Sequence, residues 1–587
     1  MLNRRAFTQS VAATLLPASA AAAAARPNVI LIMSDDQGYG DFSCHGNGVI
    51  KTPNLDRLRK QSVAFTDFHA APMCTPTRAQ LMTGRNCLFT RAMNVSSGRT
   101  MLRRDLPTMA EIFTQSGYAT GIFGKWHLGD NYPYRPEDRG FEEAVWFPSS
   151  HIGAAPDYWT NDYFNDTYRH NGKLQAYRGY STDVFFGEAM TWMRGRKAAG
   201  RPFFTYLPLN APHGPLHVPA EFREPYRHLP DNVQRIYAMI ANIDRNLGRL
   251  EAMLEETGLR ENTILIYLTD NGATPAGDRF NAGRRGHKTM LYDGGHRVPL
   301  FLRWPASRIG AGREIDELTQ VQDVLPTLID LCGLRPSRKP VFDGHSLAPL
   351  LEGKAKSLPD RALIIQFSRM NASRPRKDDA CILWKKWRMV HGGELYNIVG
   401  DPAQKNNVKD ANPQIAARLQ KQYDQWWKTV EGFADSFLPT YIGSDKENPT
   451  LVSACEWADV FLDQGAQVRN GVRKNGVWHI FAEQAGEYEI ALRRWPREVD
   501  AALSSGLAAR SFEDGTIGKG VALPIAKARL RIGAFDQTIE TTAESREAVF
   551  RMKLPKGPTT MQSWFLDEQG AEITGAYYAY VERKSKS

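Results

Sequence analysis

The chain lacks any apolar run of membrane-spanning length beyond its first 25 residues, so no internal lipid-buried helix is expected. It has six cysteines in 587 residues, Cys44, Cys74, Cys87, Cys332, Cys381 and Cys455, too few for a disulfide-built scaffold. No internal repeat is visible, and the only low-complexity stretch is an alanine run before residue 27. Charge of one sign is also scarce: the formal excess of +10 is spread along the chain, which argues against a nucleic-acid-binding face. That excess suits either a polyanionic substrate or ordinary solvated Lys and Arg. What remains is a globular chain long enough for two or three domains.

Residues 1–25 read as an export signal. Arg4-Arg5-Ala6-Phe7 opens it, a mild apolar stretch from Val11 to Leu16 follows, and small-residue cleavage sites come next. The Arg pair followed by Phe resembles a twin-arginine signal, whose route carries folded proteins. The expected destination is the bacterial periplasm or the exterior, with the twin-arginine machinery as a partner and no membrane segment in the mature chain. Folding before export would occur in a reducing compartment, so at most one or two disulfides are expected.

Strands alternating with helices predict an α/β core. Val29–Met33 is a continuous apolar run ending in Asp35 and Asp36. Thr263–Thr269 repeats the device and ends in Asp270 and Asn271. Such runs read as strands buried on both faces, with polar groups at their C-terminal ends, where open α/β sheets place ligands. Phe203–Leu209 leads likewise into Asn210-Ala211-Pro212-His213, and Tyr118–Phe123 into Gly124-Lys125-Trp126-His127. The 3.6-residue period over Ile236–Glu256 predicts a long amphipathic helix. Residues 130–180 show little periodicity and read as long loops over a site. The four acids and amides are hard oxygen ligands suited to calcium, with magnesium as the alternative.

Pro72-Met-Cys74-Thr-Pro76-Thr-Arg78-Ala-Gln-Leu-Met-Thr-Gly84 is the most informative stretch. A Cys in a Pro-containing turn, four residues before an Arg, suggests a reactive centre beside an anion clamp. The pattern resembles the signature of type I sulfatases, arylsulfatase-like members of the alkaline phosphatase superfamily, in which this Cys is oxidised to formylglycine. Gly117–His127 resembles the second signature, with Phe123 where a smaller residue is usual. Asn28–Asp36, Ala211–His213, Thr269–Gly272 and Gly286–Lys288 are similar to further family segments, in order, over about residues 27 to 430.

The resemblance implies hydrolysis of a sulfate ester, on a carbohydrate by the evidence of export and aromatic-rich loops. It implies formylglycine at Cys74, made by a formylglycine-generating or sulfatase-maturating enzyme, and a calcium ion held by Asp35, Asp36, Cys74, Asp270 and Asn271. Arg78, Lys125 and Lys288 would hold sulfate oxygens. His127 would take the proton for sulfate release, and His213 with Lys288 would assist the leaving oxygen. His217, Trp159, Asn161 and Asp162 are candidate substrate contacts on loops. The alternatives are a phosphonate monoester or phosphodiester hydrolase of the same superfamily, and a catalytically inactive glycan-binding relative.

The expected fold is α/β, a large mixed sheet sandwiched by helices as in alkaline phosphatase and the sulfatases. The expected division is the signal at 1–25, a catalytic domain over 26–345, a small antiparallel subdomain over 346–440 and an accessory β-sandwich over 441–587. The sandwich would either brace the catalytic domain or bind glycan.

Overall fold

The computed structural model describes residues 26–275, 279–307 and 309–584. The export-signal reading of 1–25 lies outside them. A ten-stranded mixed sheet forms the centre. Its spatial order is Arg313–Ile315, Val63–Phe65, Leu300–Arg303, Thr263–Thr269, Asn28–Ser34, Phe203–Pro208, Ala119–Lys125, Glu143–Phe147, Thr167–His170 and Lys173–Ala176. The five strands from Thr263–Thr269 to Glu143–Phe147 pair in parallel. Their C-terminal ends therefore share one edge, as the apolar runs predict.

Both faces of this sheet are covered. Along the strand Asn28–Ser34, Ile30 and Ile32 enter a core with the helices Ser181–Ala198 and Asp231–Glu256. Val29, Leu31 and Met33 enter another with the helices Cys74–Thr83, Met109–Gln115 and Val324–Cys332. A strand with side chains alternating into two cores needs apolar residues at every position, hence the unbroken run. The predicted long helix starts five residues earlier than its periodicity suggests, at Asp231. The segment read as loops carries three strands, the last of which, Lys173–Ala176, is wholly exposed. An exposed edge strand has no buried face to impose alternation.

Beyond the large sheet, Leu363–Gln366, Ala380–Trp384, Trp387–Val390 and Glu394–Asn397 form a four-stranded antiparallel sheet packed by the helix Pro413–Val430. From Thr440 on, a six-stranded and a four-stranded sheet enclose a separate core containing Trp457, Trp478 and Trp495. Trp564 stands at its surface, flanked by Arg529 and Arg531. All six cysteines are unpaired. Among the described residues no helix is long and apolar enough to cross a membrane.

The C-terminal β-region is firmly docked. Asp463 accepts from Ser150 Oγ at 2.7 Å, Tyr578 OH donates to Ala155 O at 2.7 Å, and Arg99 pairs with Asp459 at 3.0 Å. Glu456 lies in this seam and accepts from Thr100 Oγ1 at 2.6 Å, while its Oε2 is buried without a partner. Burial pushes its carboxyl up to about 7, with Asp130 and Asp463 adding repulsion against the Thr100 hydrogen bond. The protonated form therefore favours folding. Its stabilisation is complete below the ordinary glutamate value and disappears as pH rises through 7. Glu456→Gln should raise the melting temperature at pH 8 and lose that advantage near pH 4.5. A gain that instead grew on acidification would show that the anion is the favoured form.

Candidate active site

The shared strand edge collects the polar residues that end each apolar run. Asp35 and Asp36 follow one strand, Asp270 and Asn271 its neighbour, and Lys125 closes a third. Gly124 lets that third strand pass its neighbour, since a Cβ there would lie 2.0 Å from Pro208 O, and its φ is +129°. The stretch read as a turn is the first turn of the helix Cys74–Thr83, with Cys74 at its first position. The positive end of that helix thus faces the acids.

Six charges meet here in near-complete burial. Lys125 Nζ bonds Asp35 Oδ2 at 2.5 Å. Lys288 Nζ lies 2.7 Å from Asp36 Oδ1, and Arg78 Nη2 lies 3.0 Å from Asp270 Oδ2. Cys74 Sγ donates to Asp35 Oδ1 at 3.2 Å and receives Lys288 Nζ at 3.4 Å. Burial, then Asp270 and Asp35, push the Cys74 thiol well above its ordinary range, so it stays protonated and is a poor nucleophile as it stands. Burial and the neighbouring Asp35 push Asp270 up to about 7. Burial alone would also raise Asp36, but Lys288 and His213 hold it far below the usual carboxylate range.

These residues fit a hard cation. Ligand atoms of Asp35, Asp36, Cys74 and Asp270 all lie within 4.8 Å of one another, and Asn271 Oδ1 is buried without a hydrogen-bond partner beside them. Crowded carboxylates with an orphaned amide oxygen form an oxygen-rich cradle of the kind calcium or magnesium takes.

The histidines flank this cluster. His213 Nε2 lies 3.6 Å from Asp36 Oδ2, its Nδ1 faces Gly214 O at 2.8 Å, and its ring stacks on His151. Burial lowers it to about 4. His127 is not aligned with Lys125 by strand alternation, because the strand ends at Lys125 and His127 has φ +56°. Its Nε2 instead meets Thr75 Oγ1 at 2.9 Å and Val95 O at 3.0 Å, beside Cys74. With Nε2–H donating to that carbonyl, Nδ1 carries the lone pair, and it is buried without a partner.

Among the loop candidates, His217 Nδ1 donates to Asp162 O at 3.0 Å, and Trp159 packs edge-on against Trp495. Asp162 Oδ1 accepts from Phe164 N at 3.2 Å. Asn161 is taken up within its own loop, bonding Asp157 and both backbone groups of Thr167. Sequence reasoning missed Tyr163 and Thr75. Tyr163 OH donates to His213 O at 2.6 Å and so fixes the His213 loop. No motif marks Tyr163, whereas Thr75 sits inside the signature beside Cys74.

A second cluster, His69, Asp293 and His296, has metal-like spacing but is already satisfied. Arg388 Nε and Arg297 Nη1 each lie 3.1 Å from Asp293, and Arg388 Nη2 lies 2.7 Å from Asp67, which also meets His69 at 2.9 Å. Arg388 belongs to the small antiparallel sheet, so this buried network ties that sheet to the large one.

A family model described as Sulfatase matches residues 27–334, and one described as N-sulphoglucosamine sulphohydrolase, C-terminal, matches residues 285–429. N-acetylgalactosamine-6-sulfatase of Canis lupus familiaris is 31% identical over 361 residues, 57% of this chain and 67% of that one. Arylsulfatase of Klebsiella aerogenes is 29% identical over 461 residues, 61% of this chain and 98% of that one. The crystal structure of Ps i-CgsB in complex with k-i-k-neocarrahexaose matches with a TM-score of 0.64 at 26% identity, over 70% of this chain and 95% of that one. Residues beyond 429 lie outside both family models.

The satisfied network yields a test that separates it from the acidic cradle. Arg388→Met would leave Asp67 and Asp293 short of a cation and should cost about 3–5 kcal/mol in denaturant unfolding. Metal content per folded molecule should not change, and a parallel loss of bound metal would assign the ion to the wrong cluster.

Proposed function

This chain belongs to the sulfatase family and is a sulfuric ester hydrolase, and from that premise we propose that it desulfates a carbohydrate outside the cytoplasm. The observation that carries the proposal is the convergence of Cys74, Arg78, Lys125, Lys288, His127 and His213 on one buried acidic cradle. A carbohydrate substrate is supported by the printed names of N-acetylgalactosamine-6-sulfatase and of Ps i-CgsB with its bound neocarrahexaose. Export is supported by the Arg4-Arg5 segment, and a twin-arginine route by the Phe that follows it.

In this reading Cys74 is converted to formylglycine by a maturating enzyme and hydrated to a gem-diol. One hydroxyl attacks sulfur, the ester S–O bond breaks, and the alcohol departs with a proton. The second hydroxyl then loses its proton, the C–O bond to sulfate breaks, and the aldehyde re-forms as sulfate leaves. A divalent cation held by Asp35, Asp36, residue 74, Asp270 and Asn271 would lower the gem-diol's proton affinity and offset the sulfate's charge.

This chain's own side chains divide the remaining work. Arg78, Lys125 and Lys288 bind the sulfate oxygens and stabilise charge in the transition state. His127 Nδ1, the nitrogen with a free lone pair, accepts the proton that frees sulfate. Neutral His213 presents Nε2, since Nδ1–H is committed to Gly214 O. The proton for the departing oxygen is therefore held by Lys288, or by His213 once a bound anion raises its proton affinity. His217 and Trp159 are the candidate substrate contacts on the loops of this site.

Mass spectrometry of the tryptic peptide containing Cys74, from protein made with a converting enzyme, should show sulfur exchanged for oxygen with loss of two hydrogens. Cys74→Ala should abolish turnover and retain the fold. Full turnover with an intact thiol would rule the mechanism out. Chelation should stop hydrolysis and added calcium should restore it. Asp270→Asn, which removes one anionic ligand, should lose bound metal and at least about 100-fold in rate. An exhaustively metal-free preparation at full rate would refute the cation assignment.

A further inference from the structure

The C-terminal β-region does more than dock at the back of the catalytic domain, because one of its hairpins reaches the catalytic loops. Arg510–Phe512 and Gly515–Ile517 pair antiparallel, with Glu513 and Asp514 at the turn. Asp514 is clamped by three groups of the catalytic domain: Val218 N at 2.9 Å, Arg223 Nη1 at 3.0 Å and Arg235 Nη1 at 2.6 Å. Gly515 allows this approach, since a Cβ there would lie 2.3 Å from His217 Nε2. The His217 and Phe512 rings lie 5.9 Å apart. His217 lies four residues after His213 on the same loop, so the hairpin packs as a wall against the loop that carries a catalytic histidine.

That wall is cationic. Arg469 lies 4.9 Å over the ring of Trp159 and donates Nη1 to Gly518 O, just past the hairpin's second strand. Arg510 lies over Phe512 and is exposed. Among the described residues neither arginine has a carboxylate within ion-pair distance, whereas the arginines behind the turn, Arg223 and Arg235, are both paired. Arg510 pairs with Ile517 across the hairpin, one residue before the carbonyl that Arg469 holds, so the exposed Arg510 and the largely buried Arg469 flank the same strand end. Trp159 belongs to the loop whose His151 stacks on His213. Two arginines beside aromatic faces, neither of them ion-paired although Glu498 accepts from Trp159 N at 3.1 Å, make a place where an anion on a sugar ring would lower the energy of both.

We infer that Arg469 and Arg510, with Trp159 and Phe512, form a second anion subsite that receives another sulfate or carboxylate of the same saccharide chain. This rests on the carbohydrate reading above. It makes the C-terminal β-region part of the substrate-recognition surface, and it favours multiply charged saccharides over singly sulfated ones.

The test uses the whole mature enzyme. A small aryl sulfate, an oligosaccharide with one sulfate and the same oligosaccharide with several sulfates are compared by turnover, and by calorimetric binding to Cys74→Ala protein. Arg510→Ala should weaken binding and raise KM for the multiply sulfated saccharide about tenfold, the effect of losing one charge-assisted contact. It should also flatten the salt dependence of that binding. Arg510→Lys should recover part of the loss, and aryl sulfate turnover should be unchanged. Equal KM on both saccharides for wild type and Arg510→Ala, or an equal loss on aryl sulfate, would overturn the subsite. If wild type turned over no sulfate ester, the function assignment would fall, while the binding comparison would still decide the subsite.

Discussion

Three carboxylates and three cations share one buried pocket, and the rest of the molecule is arranged so that they can. Asp35, Asp36 and Asp270 have no exposure that would let water stabilise them, and each is met by Lys125, Lys288 or Arg78. Burying one such charge alone would cost several kcal/mol, so the set is stable only as a set. The sheet solves the placement problem. Parallel strands end on the same side, so residues far apart in sequence arrive at one edge without long connecting arms. The two cores on either face then fix those strand ends, and the small antiparallel sheet is tied in through Arg388. With all three carboxylates ionised the six charges cancel. A bound dication would leave the site positive, suited to the single negative charge of a sulfate ester.

What was legible in the sequence followed from burial. Val29–Met33 and Ile264–Leu268 had to be apolar throughout because both faces are covered, and so the acids after them stood out. Cys74 and Arg78 were legible through the signature that contains them, whereas the helix that sets them one turn apart was read as a turn. The direction of His127 was not, since His127 lies past the strand end and is itself left-handed, which breaks the alternation that a strand end implies. The strands Thr167–His170 and Lys173–Ala176 escaped notice because hydrogen bonds to neighbours define them, with little apolar face to show it. Tyr163, Asp514 and Arg469 act through contacts with distant segments, and no local pattern records a partner hundreds of residues away. Of the four tryptophans in the C-terminal β-region, Trp457, Trp478 and Trp495 are core, while Trp564 stays at the surface.

The order of synthesis gives the burial of Cys74 another meaning. Its side chain is sealed by residues made well after it: Asp270 closes over it from a strand made roughly 200 residues later, which takes on the order of 10–40 s of elongation. Once that strand pairs with Asn28–Ser34, the thiol is buried. Any enzyme that rewrites Cys74 must therefore find it before the central strands have folded, and their folding rate sets how long the opportunity lasts. A variant that folds faster could emerge stable, soluble and chemically immature, so its yield of working molecules would depend on elongation speed as much as on its own stability.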